Sequence, residues 1–534
     1  MTPRKRIDER TSLSTGEAVV RALEAHGVDV VFGIPGTHSL PIYRFLTGSR
    51  IRHVLPRHEQ GAGFAADGFA RASGRPGVCI VTTGPGVTNI ATAAAEAYSD
   101  SVPMLIISPG MPTDIYGREA GYVHEAKDQS RAMDNLVAWS HRADSPSDAV
   151  ECVYRAFNEF ASSRPRPVHL EIPLDVFEME EAVSIAPPQS PSPPPLDEGQ
   201  SRKALSILAS ARRPGLVLGG GAQGAAAEVT QLARILGAIV VTSANGKGAF
   251  PERDELAIGA VLNFAAGREA LAACDVVVAI GTELSDSELE GAKLDLSGQV
   301  IRIDIDAGQL QKHLKADCAI HADAADAVRH LIAGLKPREP SDGAVRAGEA
   351  RAHLASAIEE RADGLTDAVD AIRRCLADDT IVVCDTSMLS WNGLVPARLV
   401  NSPRSCLNPT GYATLGYALP AGIGAKLGQP DRDVIVVIGD GGILFTLSEL
   451  AVAVEERLQL PIVITNNHGY GEIRQGMLAR GIEPLGVTFD PPNFSLIAQA
   501  FGAQSALAAD ATQLESALRS ALRVAGPTLI EFMC

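Results

Sequence analysis

Asp440 and Asn467 are the two side chains of this 534-residue chain whose types and spacing most directly indicate chemistry. Each ends a run rich in valine and isoleucine, "DVIVVIGD" or "PIVITNN", and they lie 27 positions apart. Because the carboxyl ends of neighbouring parallel strands meet at one edge of a sheet, we expect this carboxylate and this amide oxygen to lie close together. Such hard oxygen ligands suit Mg²⁺ or Ca²⁺. The pair therefore predicts a cation site.

Two glycines directly after Asp440 extend the predicted site toward an anion. Gly441 and Gly442 leave backbone N–H groups free at the start of the next helix, where unpaired donors and the helix dipole stabilise a phosphate. A lone "GDGG" is equally compatible with a simple turn. Its combination with the paired asparagine favours a diphosphate site that also holds a metal.

The "GDGG" and "NN" elements at this spacing resemble the cofactor motif of the thiamine-diphosphate enzymes in the acetohydroxyacid synthase and 2-oxo-acid decarboxylase superfamily. The resemblance implies bound thiamine diphosphate and Mg²⁺, with Asp440, Asn467 and the carbonyl of Gly469 as metal ligands. It also implies that Leu415 props the cofactor in a bent shape, for which core packing is the alternative. The implied cofactor-binding residues of this part of the chain are Thr386, Ser387, Ala413, Leu415, Gly441, Gly442, Tyr470, Gly471 and Ile473.

A second carboxylate, Glu59, lies in "VLPRHEQGAGFAADGFAR", which resembles the activating-glutamate segment of the same superfamily. The chemistry needs a carboxyl group beside the aminopyrimidine, so that the thiazolium loses its C2 proton. A glutamate in the first turn of a helix otherwise only compensates the dipole. The flanking stretches "FGIPGTHSLPIY" and "TTGPGVTNI", in which Gly33 and Gly84 allow tight loops and cofactor contact, favour the catalytic role.

The reaction that the resemblance implies is attack of the cofactor ylide on a 2-oxo acid, followed by loss of carbon dioxide. Protonation of the resulting enamine gives an aldehyde, whereas addition to a second carbonyl gives a ligated product. The synthases carry a Gln-Glu pair where this chain has His124 and Glu125, and a tryptophan where it has Gly476. His124, with Glu125 beside it, is a candidate catalytic acid because histidine titrates near neutral pH; a surface histidine is the alternative.

The stretches "VHEAKDQSRAM" and "SSRPRPVHLEIPLDV" most resemble the 5-guanidino-2-oxopentanoate decarboxylases. The leading prediction is therefore a decarboxylase of a substituted 2-oxo acid, in which Glu125, Asp128 or Glu472 meets a guanidinium group. An acetolactate-synthase-type carboligase is the alternative. The FAD-contacting stretch of the synthases is poorly matched by "GAVLNFAAGREAL", which argues against bound FAD.

Along the chain, runs rich in valine and isoleucine alternate with segments of helical pattern, and these strands and helices must position the residues named above. The alternation predicts an α/β fold of three doubly wound domains with mainly parallel sheets. The proline-rich stretch at 185–200 is a predicted linker, and a weaker break lies at 335–349. The predicted domains are 1–184, 201–335 and 350–534, which by resemblance bind the pyrimidine, form a Rossmann-like centre and bind the diphosphate.

The central segment also contains Gly219, Gly221 and Gly224 in a dinucleotide-binding spacing, but lacks the acidic residue expected about 20 positions further on. Tight turns and close helix packing are the favoured reading of these glycines. An NAD-dependent dehydrogenase, or a non-catalytic nucleotide-binding homologue, is the alternative of another class.

The composition of the whole chain limits the classes of partner and the cellular location that we expect. A net charge of −17 argues against nucleic acid and anionic lipid as partners. No signal segment or long apolar run is visible, and eight scattered cysteines lack zinc or disulfide spacing, so we expect a cytoplasmic protein. The resemblance implies a homodimer or homotetramer in which Glu59 and Asp440 of different subunits share one active site.

Overall fold

The computed structural model describes residues 11–188, 192–336 and 341–534. It contains three parallel sheets of six strands each, together with a two-stranded antiparallel pair. Helices cover the sheets, so the predicted α/β fold with three doubly wound domains is confirmed. The chain divides into two compact units, of which the first holds one large sheet and the second holds two.

The first unit comprises residues 1–70 and 75–191. Its strands are β1 (Thr11–Ser14), β2 (Val30–Gly33), β3 (Arg52–Val54), β4 (Gly77–Ile80), β5 (Met104–Gly110), β6 (Ser140–Arg142), β7 (Val168–Pro173) and β8 (Glu180–Val183). Its helices are α1 (Thr15–Ala25), α2 (Leu40–Leu46), α3 (Glu59–Ser73), α4 (Pro85–Ser99), α5 (Gln129–Asp134), α6 (Pro146–Ser162) and α7 (Leu174–Phe177). The large sheet has the order β3-β2-β4-β5-β7-β6, and β1 pairs with β8. The central strands β4 and β5 are buried throughout, as apolar strands covered on both faces must be.

The second unit comprises residues 71–74 and 192–534, and its first sheet is the middle sheet of the chain. The strands are β9 (Pro214–Leu218), β10 (Ile239–Thr242), β11 (Ala257–Gly259), β12 (Val276–Ile280), β13 (Gln299–Asp304) and β14 (Cys318–His321). The helices are α8 (Glu198–Ser210), α9 (Ala226–Leu236), α10 (Ala265–Ala272), α11 (Asp286–Leu289) and α12 (Ala324–Gly334). The strand order is β11-β10-β9-β12-β13-β14.

The last sheet completes the second unit. Its helices are α13 (Gly343–Ala362), α14 (Thr366–Arg373), α15 (Ala418–Gly428), α16 (Asp440–Ile443), α17 (Leu450–Glu455), α18 (Gly471–Ala479), α19 (Phe494–Phe501) and α20 (Ala511–Ala521). Its strands are β15 (Ile381–Cys384), β16 (Cys406–Leu407), β17 (Val434–Gly439), β18 (Leu460–Asn466), β19 (Gln504–Ala508) and β20 (Pro527–Met533). The order β16-β15-β17-β18-β20-β19 makes β15, β17 and β18 direct neighbours.

Helices begin inside both segments that the composition predicts to separate domains, 185–200 and 335–349. Within the predicted linker α8 begins at Glu198, because Asp197 caps the helix by accepting a hydrogen bond from the N–H of Gln200 at 2.8 Å. Helix α13 begins at Gly343, within the weaker break predicted at 335–349. Residues 189–191 and 337–340 of these two segments lie outside the described residues.

Close packing accounts for two of the three glycines with dinucleotide-binding spacing. A Cβ atom at Gly219 would overlap the carbonyl oxygen of Gly281, and one at Gly221 would lie 2.9 Å from the Cα of Gly281. At Gly224 a Cβ atom would meet nothing within 4 Å. The approach of neighbouring loops therefore supplies a reason for the first two glycines without a nucleotide.

A helix that crosses a membrane needs about 20 predominantly apolar residues. None of those found in residues 11–188, 192–336 and 341–534 combines the length and the apolar character that crossing a bilayer needs.

Candidate functional site

The carboxyl ends of β15, β17 and β18 form one edge of the last sheet, here called the Asp440 edge. Asp385, Asp440 and Asn467 are the first residues after these three strands. Since the strands are adjacent and parallel, all three side chains start from the same side of the sheet. The edge expected from the sequence is thus built from three strand ends.

Asp440 is buried at this edge, with 1% of its surface exposed. Its Oδ2 accepts a hydrogen bond of 2.9 Å from the N–H of Gly469, in the loop after β18. Burial raises the pKa of the Asp440 carboxyl, while backbone N–H groups act in the opposite direction. A cation beside this carboxylate would compensate the cost of burying its charge.

Only glycine fits at position 469. Its φ angle is +138°, and a Cβ atom there would overlap the carbonyl oxygen of Val487. The loop after β18 can therefore pass between Asp440 and the 487–488 segment only with glycine at this point. Asp440 and the Gly469 backbone are brought together as the sequence predicts.

Asn467 carries an orphaned polar atom. Its Oδ1 is buried and has no hydrogen-bond partner, while its Nδ2 lies 3.6 Å from the sulfur of Met388. A buried acceptor without a partner costs about 1–3 kcal/mol. A carboxylate, an unpaired amide oxygen and a backbone carbonyl are the oxygen donors that Mg²⁺ accepts, so these residues fit a magnesium ion.

Three glycines allow close packing around this donor set. A Cβ atom at Gly441 would lie 2.7 Å from Cε1 of Tyr470, and one at Gly442 would lie 3.0 Å from Oδ1 of Asp385. A Cβ atom at Gly471 would lie 2.5 Å from Nδ2 of Asn467. A side chain at any of the three positions would crowd Tyr470, Asp385 or Asn467, so glycine is what lets these groups pack at the Asp440 edge.

Thr386 and Ser387 follow β15 at the same edge, and both hydroxyl groups already have protein partners. Thr386 Oγ1 donates to the carbonyl of Thr414 at 3.2 Å, and Ser387 Oγ lies 2.9 Å from Oγ of Ser390. Both side chains lie at the Asp440 edge. Their hydroxyl groups fix the surrounding loops, and their role toward a diphosphate stays a prediction.

Asp385 is a site residue that sequence reasoning missed. It is fully buried, and its carboxylate accepts hydrogen bonds from the N–H of Gly416 at 3.2 Å and of Ala418 at 2.9 Å. Burial raises the pKa of Asp385 to about 6. The signal was present in "IVVCD", because an aspartate ends β15 just as Asp440 ends β17.

The segment that Asp385 holds carries Ala413 and Leu415. Ala413 is exposed and has a φ angle of +56°, a left-handed conformation that is uncommon for alanine. Leu415 is only half-buried, so core packing does not fully account for it. The backbone of Ala413 and the side chain of Leu415 are thereby accessible at the Asp440 edge, as their predicted roles need.

Helix α18 contributes the remaining predicted residues of the last sheet. The ring of Tyr470 packs at 5.5 Å, centre to centre, against Phe489 and closes one side of the Asp440 edge. Ile473 lies in the first turn, with 55% of its surface exposed. A single exposed apolar side chain is ordinary at a protein surface, so the contact of Ile473 with a cofactor stays a prediction.

A second edge, here called the Glu59 edge, is formed in the first unit by the carboxyl ends of β2, β4 and β5 and the start of α3. Glu59 is the first residue of α3 and is buried. Its Oε2 accepts a hydrogen bond of 2.9 Å from Nδ2 of Asn89, in α4. Asn89 was missed because an asparagine inside a helix gives no signal until its partner is known.

Gly33 and Gly84 line the same edge. A Cβ atom at Gly33 would overlap the carbonyl oxygen of Ile80. Gly84 has a φ angle of +64°, and a Cβ atom there would overlap the carbonyl oxygen of His124. Its N–H donates to Oε1 of Gln129 at 3.0 Å. The predicted tight loops are present, and Gly84 holds the loop that carries His124.

His124 faces a second histidine that sequence reasoning missed. The ring centres of His124 and His38 are 5.2 Å apart, and His38 also lies 5.9 Å from the ring of Tyr122. The Nδ1 atoms of both histidines are buried without a hydrogen-bond partner. Burial, and then the neighbouring His124, lower the pKa of His38. Its position in the quoted "GIPGTHSLPIY" was a signal, but no spacing rule connects it to His124.

The three carboxylates proposed to meet a guanidinium differ in what they contact. Glu125 accepts hydrogen bonds from the N–H groups of Ala120 and Tyr122, at 3.1 and 2.9 Å, which stabilises its own loop. Asp128 caps α5 and lies 3.6 Å from the guanidinium of Arg142. Glu472 is exposed in the first turn of α18, and no described residue donates to its carboxylate. Only Glu472 is therefore available to a ligand without breaking an existing contact.

Three family models match the chain in order. Residues 13–132 match the N-terminal TPP binding domain of thiamine pyrophosphate enzymes, where TPP is thiamine pyrophosphate, a synonym of thiamine diphosphate. Residues 201–331 match the central domain, and residues 392–532 match the C-terminal TPP binding domain. The Glu59 edge falls within the first match and the Asp440 edge falls mainly within the third.

Curated relatives cover nearly the whole chain. A protein of Pseudomonas aeruginosa named "Probable 2-ketoarginine decarboxylase" is 44% identical over 536 residues, which span 98% of this chain and 95% of the relative. The probable acetolactate synthase large subunit of Methanocaldococcus jannaschii is 33% identical, over 97% and 91% of the two chains. The large subunit of acetolactate synthase isozyme 1 of Escherichia coli is 30% identical, over 98% and 94%.

Proposed function

Because the chain belongs to the thiamine pyrophosphate enzyme family, we propose that it decarboxylates a substituted 2-oxo acid and that its substrate is 5-guanidino-2-oxopentanoate, which is 2-ketoarginine. The observation that carries the choice of a decarboxylase is the His38–His124 pair at the Glu59 edge, where the synthases carry glutamine in place of His124. The 2-ketoarginine decarboxylase name of a 44% identical relative supports the substrate.

The residues of the Asp440 edge hold the cofactor in this proposal. Asp440, Oδ1 of Asn467 and the Gly469 carbonyl would bind Mg²⁺, and the backbone N–H groups of Gly441 and Gly442, at the start of α16, would hold the diphosphate. When bound, thiamine diphosphate supplies the electron sink that lets the carbon–carboxylate bond of a 2-oxo acid break.

Glu59 acts as the proton-holding group next to the aminopyrimidine. The hydrogen bond from Asn89 engages Oε2 and fixes the plane of the carboxyl group. Oε1 faces the Gly86 backbone, where even a Cβ atom would come within 3.4 Å. A larger residue at position 86 would crowd Oε1, the atom at which Glu59 gives and takes a proton in this proposal.

The histidine pair delivers the proton that converts the decarboxylated substrate to an aldehyde. His38 is kept neutral near pH 7 by its lowered pKa, so that it can share a proton with His124. A glutamine in place of His124 cannot act as an acid, and this difference favours aldehyde release over ligation.

We further propose a homo-oligomer, with a dimer as the smallest active unit, in which the Glu59 edge of one subunit meets the Asp440 edge of its partner. Family resemblance supports this arrangement. The exposed apolar side chains of the Asp440 edge support it too, because monomers rarely leave such groups uncovered. They are Tyr412, Leu444, Phe445 and Ile473.

Substrate discrimination is assigned to Glu472. A carboxylate can receive the planar donor fork of a guanidinium through two parallel hydrogen bonds. Glu472 lies two residues after Tyr470 and next to Ile473, both predicted cofactor neighbours, and its carboxylate has no donor among the described residues. Glu125 and Asp128 would have to give up loop contacts to do the same.

A panel of 2-oxo acids tests the function itself. With Mg²⁺ and thiamine diphosphate, we expect 5-guanidino-2-oxopentanoate to yield carbon dioxide and 4-guanidinobutanal in equal amounts. Pyruvate is expected to turn over poorly. Carbon dioxide, aldehyde and ligated products are measured in the same samples. Acetolactate formed from pyruvate without free aldehyde would instead establish the carboligase alternative.

The Glu472→Gln variant tests the assignment of the guanidinium contact. We expect kcat/KM for 5-guanidino-2-oxopentanoate to fall about tenfold to a hundredfold, since a charge-assisted pair becomes a neutral one. The same ratio for 2-oxohexanoate, whose side chain carries no charge, should change less than twofold. Glu483→Gln, an exposed glutamate just beyond α18, is the matched control. An equal loss on both substrates would assign Glu472 a general role instead.

The His124→Gln variant tests the histidine pair by introducing the residue of the synthases. We expect aldehyde formation to slow about 10²-fold, and the share of ligated product to rise. Thiamine diphosphate affinity should stay unchanged. His330→Gln, an exposed histidine on α12, is the control. An aldehyde yield and rate equal to those of the wild type would remove His124 from the mechanism.

A further inference from the structure

A cavity of about 670 Å³ lies in the second unit, away from the Asp440 edge. Its walls are α13, α14, the segment 252–258 that leads into β11, and the segment 393–399. Helix α13 connects the middle sheet to the last sheet, so the cavity lies where these two sheets are joined. Neither the metal ligands nor the histidine pair contribute to it.

Five arginines line this cavity, and three of them are paired with carboxylates. Arg253 contacts Asp378 at 2.5 Å, Arg373 contacts Asp370 at 2.9 Å and Arg374 contacts Glu515 at 2.6 Å. These three are ordinary surface ion pairs, and they supply no free positive charge to the cavity.

Arg351 and Arg398 are different, because their described contacts are with carbonyl oxygens. Arg351 Nη1 donates to the carbonyls of Glu255 and Ala257, at 2.9 and 2.7 Å. Arg398 Nη2 donates to the carbonyl of Asp254 at 2.9 Å, and its Nε is buried without a partner. No described carboxylate lies within ion-pair distance of either guanidinium. Burial, and then the neighbouring Arg351, lower the pKa of Arg398.

The carboxylates nearest to Arg398 are engaged elsewhere. Glu252 is buried against Lys247 at 2.6 Å and accepts from the N–H groups of residues 399 and 400. Asp254 pairs with Arg234 at 2.9 Å and accepts from the N–H of residue 256. Two like charges therefore share one cavity, and the nearby carboxylates Glu252 and Asp254 are already paired with Lys247 and Arg234. An anionic ligand would relieve the repulsion between the two guanidinium groups.

Most of the remaining lining is apolar, and Glu252, Thr366 and Asp370 are its other polar members. The apolar side chains include Ile258, Leu354, Ile358, Ala362, Val369 and Pro396. A ligand that fits both parts has one anionic head group and an apolar body, since the head can bridge the two guanidinium groups while the body covers the apolar wall.

We propose that this arginine cavity binds a small organic anion, with its carboxylate or phosphate group between Arg351 and Arg398 and its apolar body against α13. The site is separate from the active site in place and in chemistry. A route for an effect on catalysis exists, because the segment that carries Arg398 begins at Ser387 of the Asp440 edge and includes the π-helix Leu389–Leu394, which packs against α13.

Two probes with the same body distinguish the head groups. Isothermal titration calorimetry of the holoenzyme measures the affinity for hexanoate, which has a carboxylate head group, and for hexyl phosphate. The neutral control is 1-hexanol. We expect at least one anion to bind at millimolar concentration, about tenfold or more tightly than 1-hexanol, and to raise the Tm. Affinity for one anion alone identifies the head group.

Variants locate the binding. Arg351→Met and Arg398→Met should each weaken the anion about tenfold, whereas the lysine variants should retain part of the affinity. Arg374→Met is the matched control, because Arg374 lines the same cavity but is paired with Glu515. Equal binding of 1-hexanol and both anions to the wild-type enzyme would overturn the proposal without any variant. Anion affinity unchanged in both methionine variants would overturn it equally.

Discussion

Replacing Glu59 by glutamine is expected to lower kcat by about 10²–10⁴-fold, the range that a positioned acid–base group contributes. Glutamine keeps the size of the side chain and an oxygen that can accept from Asn89, but it can neither hold nor release a proton at Oε1. The step that should fail is proton loss at C2 of the bound cofactor. Steady-state carbon dioxide release and hydrogen–deuterium exchange at C2 measure the two consequences separately.

Binding and folding should survive this change. Because the metal and diphosphate are assigned to the Asp440 edge, we expect the Glu59→Gln variant to retain thiamine diphosphate with an affinity within a few-fold of the wild type. Glu17→Gln is the control, since Glu17 is a helix glutamate of the same unit that only pairs with Arg21. A variant with wild-type C2 exchange would show that Glu59 does not activate the cofactor.

The parts of the fold that were predictable are those set by local pattern. Buried runs such as those of β4, β5 and β18 are rich in apolar residues, and parallel order follows from the helices between them. The beginnings of α8 and α13 were less predictable. Each of these helices begins inside a segment whose proline and charge content predicts a break. A capping aspartate starts α8, and alanine-rich turns form the start of α13.

At the site, the sequence was informative wherever a residue ends a strand. Asp440 and Asn467 follow adjacent strands, so topology alone brings them to one edge. Asp385 also follows a strand of this edge, but the resemblance assigns the cofactor contacts there to its neighbours Thr386 and Ser387. Asn89 and His38 act through partners about 30 and 86 positions away, and contacts of that kind have no local signature.

The carboxylates near the predicted substrate side show why residue type alone does not settle a role. Glu125 stands beside His124 in the chain and looks equally placed for catalysis. In the structure its two oxygens accept the N–H groups of its own loop, whereas Glu472 carries the same group without such a contact. Whether a carboxylate is free to bind a ligand depends on the backbone turn around it, and the sequence does not specify the details of that turn.

Replacing Asp440 by asparagine is expected to abolish activity by preventing cofactor retention. Asparagine retains an oxygen that can accept from the Gly469 N–H, so the loop after β18 should keep its path. It removes the negative charge that offsets the metal, and replacing a charged oxygen ligand by a neutral one should weaken Mg²⁺ and thiamine diphosphate about 10²-fold. Titration of the apoenzyme with cofactor at several Mg²⁺ concentrations measures this loss.

The control for this variant uses the same strand. Asp433 lies directly before β17, at the end opposite to Asp440, and its carbonyl accepts from Ile381 through the backbone alone. Asp433→Asn should therefore bind the cofactor like the wild type. If excess Mg²⁺ restores activity in Asp440→Asn, the charge serves metal affinity and the geometry of the Asn467 and Gly469 ligands is intact. Wild-type affinity at low Mg²⁺ would place the metal elsewhere, and the orphaned Asn467 oxygen would then need another partner.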